Sequence, residues 1–367
     1  MPSNSSPLYQ KRIAVAMSGG VDSSVTAALL LQAGARVEGV FMRLAQPEVE
    51  RDRQRAAAVA EYLGIQLTML DLEEPFRGRV LEPFSRAYFQ GQTPNPCVVC
   101  NRRLKFGLLQ DAVLARGADF LATGHYVRLD ADEDGGPLLR RGIDPGKDQS
   151  YFLCRVRASS LRHVLFPLGE KRKSEVYQLA AKLGLSGRHG VESQDICFMG
   201  TRSVPDFLAD YAAQKREGGG GDAFAAVVEA KAGPIVTLDG RELGRHAGVH
   251  RYTVGQRRGL GLPDATPYYV VALDVAYNKV VVGKKEDLLQ GRIGLRDLNW
   301  LTASPPQLPA HFSVQLRHRH PPAPALVEEN PDGSITINFT QPQRAPAPGQ
   351  YAALYRDDRL MGGGEIL

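Results

Sequence analysis

Two sets of residues in this sequence have types and spacings suited to chemistry. One is Ser18-Gly19-Gly20-Val21-Asp22-Ser23-Ser24. The other is three cysteines: Cys97 and Cys100 within Asn95-Pro96-Cys97-Val98-Val99-Cys100-Asn101, and Cys197 within Ser193-Gln194-Asp195-Ile196-Cys197-Phe198. A Gly-rich turn leading into a helix presents backbone N–H groups and the positive end of the helix dipole to an anion. The glycines let phosphates approach, Ser18, Ser23 and Ser24 add hydroxyl donors, and Asp22 can orient a Mg²⁺ ion or a loop amide. The loop lacks the Gly-Lys-Ser/Thr of a Walker loop. Standing alone, a Ser-Gly-Gly turn also serves simply to join a strand to a helix, so its context decides. Thiolates are both nucleophiles and metal ligands, so the cysteines suit either covalent or metal chemistry.

The elements around these residues are those that such sites need. Arg12–Met17 (RIAVAM) reads as a buried strand, and the apolar periodicity to about Ala33 as a helix, so the loop sits between them. Val37–Met42, Ile65–Leu70 and Phe120–Thr123 are further apolar runs, with a helical pattern over 48–63. Strands alternating with helices predict an α/β doubly wound parallel sheet. In Gly91–Asn101 two prolines and two asparagines favour a loop. Residues 170–184 predict a helix with a basic first turn, where Lys171-Arg172-Lys173 is either a solvated face or a phosphate contact. Beyond Gly218–Gly221 short alternating strands dominate, including Val227–Val228, Tyr268–Leu273, Lys279–Val282 and Ser334–Phe339. A boundary is expected near 287–292, and the Pro-rich stretches 320–326 and 345–348 read as loops.

Composition fits an ordinary globular enzyme. The chain has 367 residues, 43% hydrophobic and 23% charged, and its 38 Gly and 24 Pro imply many turns. A net charge of +5 permits nucleic-acid binding without demonstrating it. No signal-peptide pattern or long apolar run is present, so a cytoplasmic protein without membrane attachment is expected. Four cysteines are too few for a disulfide scaffold. Cys154, after Tyr-Phe-Leu, reads as a small buried apolar residue. Zinc at Cys97 and Cys100 would need four ligands, and there is no second Cys-x-x-Cys.

SGGVDSS resembles the phosphate loop of the N-type ATP pyrophosphatases, which cleave ATP between the α and β phosphates and activate a carbonyl oxygen by adenylation. With TPNPCxxCN, TGHY at 123–126, KDQSYFL at 147–153, ESQDICF at 192–198, YTVGQRRGLG at 252–261 and the terminal GGGEIL, nearly the whole chain resembles the bacterial-type tRNA 2-thiouridylases. That resemblance implies an adenine-nucleotide-hydrolase-like catalytic domain (1–203), a small central domain (204–290) and a β-barrel tRNA-binding domain (291–367). It implies ATP-dependent 2-thiolation of the wobble uridine of tRNAs for Lys, Glu and Gln, with Mg²⁺ and a sulfur donor: sulfide, a cysteine desulfurase or a sulfur-relay protein.

Residue by residue, the resemblance makes Cys100 the nucleophile and Cys197 the persulfide carrier. Ala16, Met17, Ser18, Gly19, Gly20, Val21, Asp22, Ser23, Met42 and Gly124 match nucleotide contacts. Asn95, Pro96 and Cys97 face the target base, and His125, Lys147, Asp148, Gln149, Arg317, His318 and Gln350 face tRNA. LRHRHPP at 316–322 departs from the family's Arg-Tyr-Arg pattern, so the C-terminal matches are looser. Many relatives have Asp, assigned to acid/base work, at the position of Cys97. With Cys there, Cys97, Cys100 and Cys197 could hold three irons of a [4Fe–4S] cluster and leave the fourth open for sulfide. Alternatively, Cys100 and Cys197 form a persulfide pair, with Cys97 a proton donor or bystander.

Two other functions compete. An adenylating ligase or amidotransferase acting on a small molecule would not depend on tRNA. A non-catalytic tRNA-binding iron–sulfur protein would not need an intact SGGVDSS.

Overall fold

The computed structural model describes residues 7–132, 135–187, 196–217, 231–263 and 265–367. The first unit alternates β1 (Arg12–Ala16), α1 (Val21–Gln32), β2 (Arg36–Arg43), α2 (Val49–Leu63) and β3 (Leu67–Asp71). In β1, Ile13, Ala14 and Val15 are fully buried, as expected of a strand covered on both faces. Helix α2 stops at Gly64, whose left-handed φ of 67° lets its N–H reach back to the last turn.

A helical stretch follows, with α3 (Glu73–Phe76), a π-turn at 77–81, and α4 (Glu82–Phe89). Then come α5 (Pro96–Cys100), which runs on through 101–109, and α6 (Gln110–Ala115). The second half of the expected Gly91–Asn101 loop is therefore helix. Pro96 takes the first helical position, where a missing N–H costs nothing, and Asn95 caps it. Strand β4 (Phe120–Ala122), the hairpin β5 (Val127–Ala131) and β6 (Pro137–Arg141), α7 (Ala158–Leu161), β7 (Val164–Leu165), α8 (Lys173–Lys182) and α9 (Val204–Glu217) complete this part.

The first sheet runs β3-β2-β1-β4-β7, and every pairing in it is parallel. The chain leaves β1 toward β2 on one side and returns to β4 on the other. A crevice thus opens between the carboxyl ends of β1 and β4, the usual ligand position in such sheets.

A second sheet holds β8 (Gly233–Thr237), β9 (Glu242–His246), β10 (Tyr269–Asp274) and β11 (Lys279–Gly283) in the order β10-β11-β8-β9. The C-terminal strands are β12 (Leu289–Trp300), β13 (Ala310–Gln315), β14 (Ala323–Glu329), β15 (Ile335–Arg344), β16 (Tyr351–Arg356) and β17 (Arg359–Ile366). Because β12 pairs with both β15 and β17, these six close into a barrel. Pro324 lies near the start of β14 opposite Ser313, so the 320–326 stretch is loop only in its first part. The expected strand Val227–Val228 and residues 192–195 of ESQDICF lie outside the described residues.

The first unit and the barrel are joined by structure that no domain boundary in the sequence suggests. The β5–β6 hairpin extends the barrel sheet beyond β17. Asp358 holds it through Arg128 (2.5 Å) and Arg140 (2.7 Å). One apolar core also runs from Val98, Leu104 and Cys154 to Ala353, Tyr355 and Leu360. Cys154 is fully buried there, as its apolar setting suggested.

Candidate active site at the carboxyl edge of the parallel sheet

The phosphate loop leaves β1 at Ala16 and Met17 and enters α1 at Gly20, where no side chain caps the helix. The first-turn N–H groups are thus left for an anion. Ser23 Oγ donates to the Gly20 carbonyl (3.0 Å) and accepts from the Ser18 N–H (3.3 Å), so the hydroxyls brace the loop itself. Gly19 has φ +76°, and a Cβ there would come within 2.7 Å of the Asp52 carbonyl on α2. Gly124, just past β4, lies so close that a Cβ would meet Asp22 at 2.9 Å. Met42, next to last in β2, lies toward the same edge, beside Leu70. The expected nucleotide residues are therefore gathered at the switch point.

Asp22 is bound more tightly than a free metal ligand would be. Its carboxylate accepts from Tyr126 Oη (2.6 Å) and from Lys173 Nζ at 2.8 Å on both oxygens. Of the two sequence readings of Lys171-Arg172-Lys173, the solvated face does not hold for Lys173, whose position agrees with the phosphate contact. It is buried at the start of α8, its backbone N–H donates to Asp144, and its ammonium sits in the nucleotide crevice. Tyr126 is a site residue to which sequence reasoning gave no role, and Lys173 one that it left between two readings.

Cys97 and Cys100 are one turn apart on α5, whose cap Asn95 accepts from the N–H groups of Cys97 (3.2 Å) and Val98 (3.4 Å). Cys100 is buried and Cys97 half-buried. Cys197 lies on a turn anchored by Phe198, whose ring packs edge-on against Phe84 at 5.3 Å and Phe76 at 5.7 Å. Burial pushes the Cys100 thiol up to about 11 and raises Cys97 as well. Cys197 is exposed as a residue, yet desolvation about its sulfur, followed by the charges of Cys100 and Cys97, pushes it up to about 12. The three sulfurs thus share one electrostatic neighbourhood. The Lys105 ammonium lowers all three, and its place five residues after Cys100 is its one signal in the sequence. Among the described residues, no three His, Cys, Asp or Glu side chains stand in metal-holding geometry.

His125 links the two centres. It follows Gly124, its Nδ1 is 2.7 Å from Thr123 Oγ1, and its ring lies 5.8 Å from that of Phe106 on the helix beyond Cys100. Burial, then Lys105, drives its pKa well below 6.5, so the ring is neutral. A neutral, buried ring can position the loop but offers no charge to a phosphate.

The other expected tRNA-facing residues cluster where the catalytic unit meets the barrel. Asp148 accepts from Arg141 (2.8 Å), the Gly142 N–H (3.0 Å) and Ser150 Oγ (2.9 Å). Gln149 Oε1 accepts from the Tyr126 N–H (3.1 Å). These two side chains are spent on internal bonds, while Lys147 is half-buried and Arg317 exposed at the rim. His318 packs against Phe152, the rings tilted by 42° with centroids 4.5 Å apart. Gln350 donates to the Thr93 carbonyl (2.9 Å), and the Thr93 N–H donates to the Pro348 carbonyl (2.7 Å), so the barrel grips the loop leading to Asn95.

Three family models match the chain in order: "tRNA methyl transferase HUP domain" over residues 11–201, "tRNA methyl transferase PRC-barrel domain" over 222–284 and "Aminomethyltransferase beta-barrel domain" over 290–366. The tRNA-specific 2-thiouridylase of Desulfotalea psychrophila is 43% identical over 96% of this chain and 98% of its own. That of Magnetococcus marinus is 46% identical over 97% and 99%. The chain belongs to the tRNA-specific 2-thiouridylase family. Another 2-thiouridylase, from Trichlorobacter lovleyi, is 44% identical over 97% of both chains. All three model names carry methyltransferase wording, whereas these full-length relatives are named 2-thiouridylases. No helix of the described residues is long and apolar enough to cross a membrane.

Proposed function

We propose that this protein is a tRNA-uridine 2-sulfurtransferase that spends ATP to replace the wobble-uridine C2 oxygen with sulfur, acting in the cytoplasm on tRNAs for Lys, Glu and Gln. The observation that carries this reading is that Asp22 of the phosphate loop lies against Gly124, next to His125, whose ring faces Phe106 on the helix that continues from Cys97 and Cys100. An ATP-activated oxygen and an incoming sulfur would meet there.

The uncapped start of α1 and the loop N–H groups would hold the departing pyrophosphate, with Lys173 adding positive charge and Mg²⁺ held chiefly through the phosphates. Uridine O2 would attack the α-phosphate and pyrophosphate would leave. Sulfur would then bond to C2 as the C2–O2 bond breaks, and AMP would depart with the former uridine oxygen. Asn95, Pro96 and Cys97 would face the base. Residues 1–203 would carry this chemistry, 204–290 would connect, and the barrel, 291–367, would grip the tRNA body.

For the sulfur, we infer that Cys97, Cys100 and Cys197 ligate a [4Fe–4S] cluster, which would present sulfide at its open iron. Three soft thiolate donors fit that group. Thiols raised as these are stay protonated at neutral pH, and metal would displace those protons. The three sulfurs must close up from their present positions to ligate.

Iron and acid-labile sulfide in protein purified without oxygen test this inference. About four irons per chain, lost together with thiolation in Cys97→Ala, is the expected result. An iron-free enzyme that thiolates tRNA only from a persulfide donor would replace the cluster by a Cys100–Cys197 relay.

A further inference from the structure

Arg102 and Arg103 directly follow Cys100-Asn101, and Asn101 Nδ2 donates to the Phe152 carbonyl (3.1 Å), bringing this helix against the segment that carries Arg155 and Arg157. Asn299 of the barrel fixes that segment by donating to the carbonyls of Cys154 (3.3 Å) and Val156 (2.9 Å). Arg155 is buried, donates to the Gly363 carbonyl (3.4 Å) and lies 5.9 Å from the Tyr351 ring centre. Arg102 is half-buried, and Arg103 and Arg157 are exposed. The Asn101 bond thus sets Arg102 and Arg103 beside the segment of Arg155 and Arg157, and Arg102 is destabilised as a cation first by burial and then by Arg155, Arg103 and Arg157.

No carboxylate among the described residues is ion-paired with them. Arg43, Arg77, Arg128, Arg140 and Arg141 each hold a carboxylate. Among the described residues, none of these four does. Glu365, which also acts on Tyr351, is taken by Arg296. Clustered like charges repel, so a patch kept this way is suited to an external anion. Guanidinium forks match phosphate oxygens in pairs, and two of the four reach solvent. The patch meets, at Tyr351, a cleft of about 260 Å³ lined also by Gln92, Pro94, Pro96 and Val99, the loop and helix expected to face the base.

We infer that Arg102, Arg103, Arg155 and Arg157 form a seat for the RNA phosphate backbone next to the target uridine. This rests on the thiolation reading above. The buried Arg155 orders the patch, and the exposed Arg103 and Arg157 supply the adaptable contacts.

The test compares Arg103→Gln/Arg157→Gln with a charge-matched control, Lys11→Gln/Arg116→Gln, whose residues are exposed at the opposite edge of the sheet. Binding of unmodified tRNA is measured across a salt series, with ATP binding measured alongside. The expected result is roughly tenfold weaker tRNA binding near 0.15 M salt than for the control, and a salt slope smaller by about one for each phosphate that is no longer neutralised. ATP affinity should match the control. If wild type thiolates tRNA and the two variants share one affinity and slope, the seat is overturned and the thiolation reading stands. A variant that loses ATP affinity but keeps tRNA affinity assigns the patch to ATP and overturns the seat. A wild-type protein that cannot thiolate tRNA overturns both.

Discussion

The ammonium of Lys173 lies 2.8 Å from both carboxylate oxygens of Asp22, 151 residues earlier in the chain. Without nucleotide, this pair keeps a carboxylate from standing uncompensated at the mouth of a phosphate site. With nucleotide, the same ammonium is within the crevice where negative charge arrives.

Lys173→Met should therefore lower ATP turnover by at least about 100-fold, the scale of losing one charged stabiliser. It should also destabilise the fold by roughly 2 kcal/mol, less than for a fully buried pair because Asp22 keeps solvent contact. Adding Asp22→Asn should restore stability but not turnover. Denaturant midpoints and pyrophosphate release check both; turnover near wild type in Lys173→Met would remove the assignment.

In the metal-free protein, Cys100 should react slowly with iodoacetamide at pH 7 and accelerate as pH rises toward about 11. Lys105→Ala should move that acceleration to higher pH, since its charge lowers all three thiols. Because the folded thiols sit above their ordinary value of 9, they favour the fold below that pH. This contribution is lost as pH climbs toward about 11 and 12. Unfolding free energies from pH 8 to 11 should fall, and fall less in Cys100→Ala.

His125 and His250 act at the acid end. Burial drives His125 well below 6.5 and His250 to about 4, where His250 packs on Phe89 with ring centres 4.6 Å apart. Below pH 6.5 the unfolded chain takes up protons that these folded rings refuse, so their stabilisation is present above 6.5 and lost as pH falls toward 4. His250→Phe should flatten the decline in melting temperature over that window. An unchanged slope would contradict the shift.

Gln350→Ala should free the loop at Thr93 by removing its bonds to the Thr93 carbonyl and Tyr151 hydroxyl. The expected effect is about tenfold in kcat/KM for tRNA, equivalent to roughly 1.4 kcal/mol, with ATP affinity unchanged. Equal losses for tRNA and ATP would mean general unfolding instead.

The parallel sheet and phosphate loop were legible because their signals are local: an apolar run, two glycines and a helical period within about twenty residues. Relationships across the chain were not. Lys173 reads equally as a solvated face or a phosphate contact until α8 turns it inward, and Gln350 meets Thr93 across 257 residues. Asn95-Pro96 reads as a loop signal although Asn at a cap and Pro at the first position also begin helices. The β5–β6 hairpin carries nothing in its own residues that announces pairing with β17 near the C-terminus. Asp148 and His125 were found by motif, but their burial, which makes them internal anchors, depends on neighbours that only the fold supplies.

The most direct test incubates protein purified without oxygen with unmodified tRNA, ATP and sulfide, and measures 2-thiouridine, AMP and pyrophosphate together. The expected result is equal amounts of all three, with 2-thiouridine abolished in Cys100→Ala. ATP cleaved to ADP, or 2-thiouridine formed normally without Cys100, would contradict it.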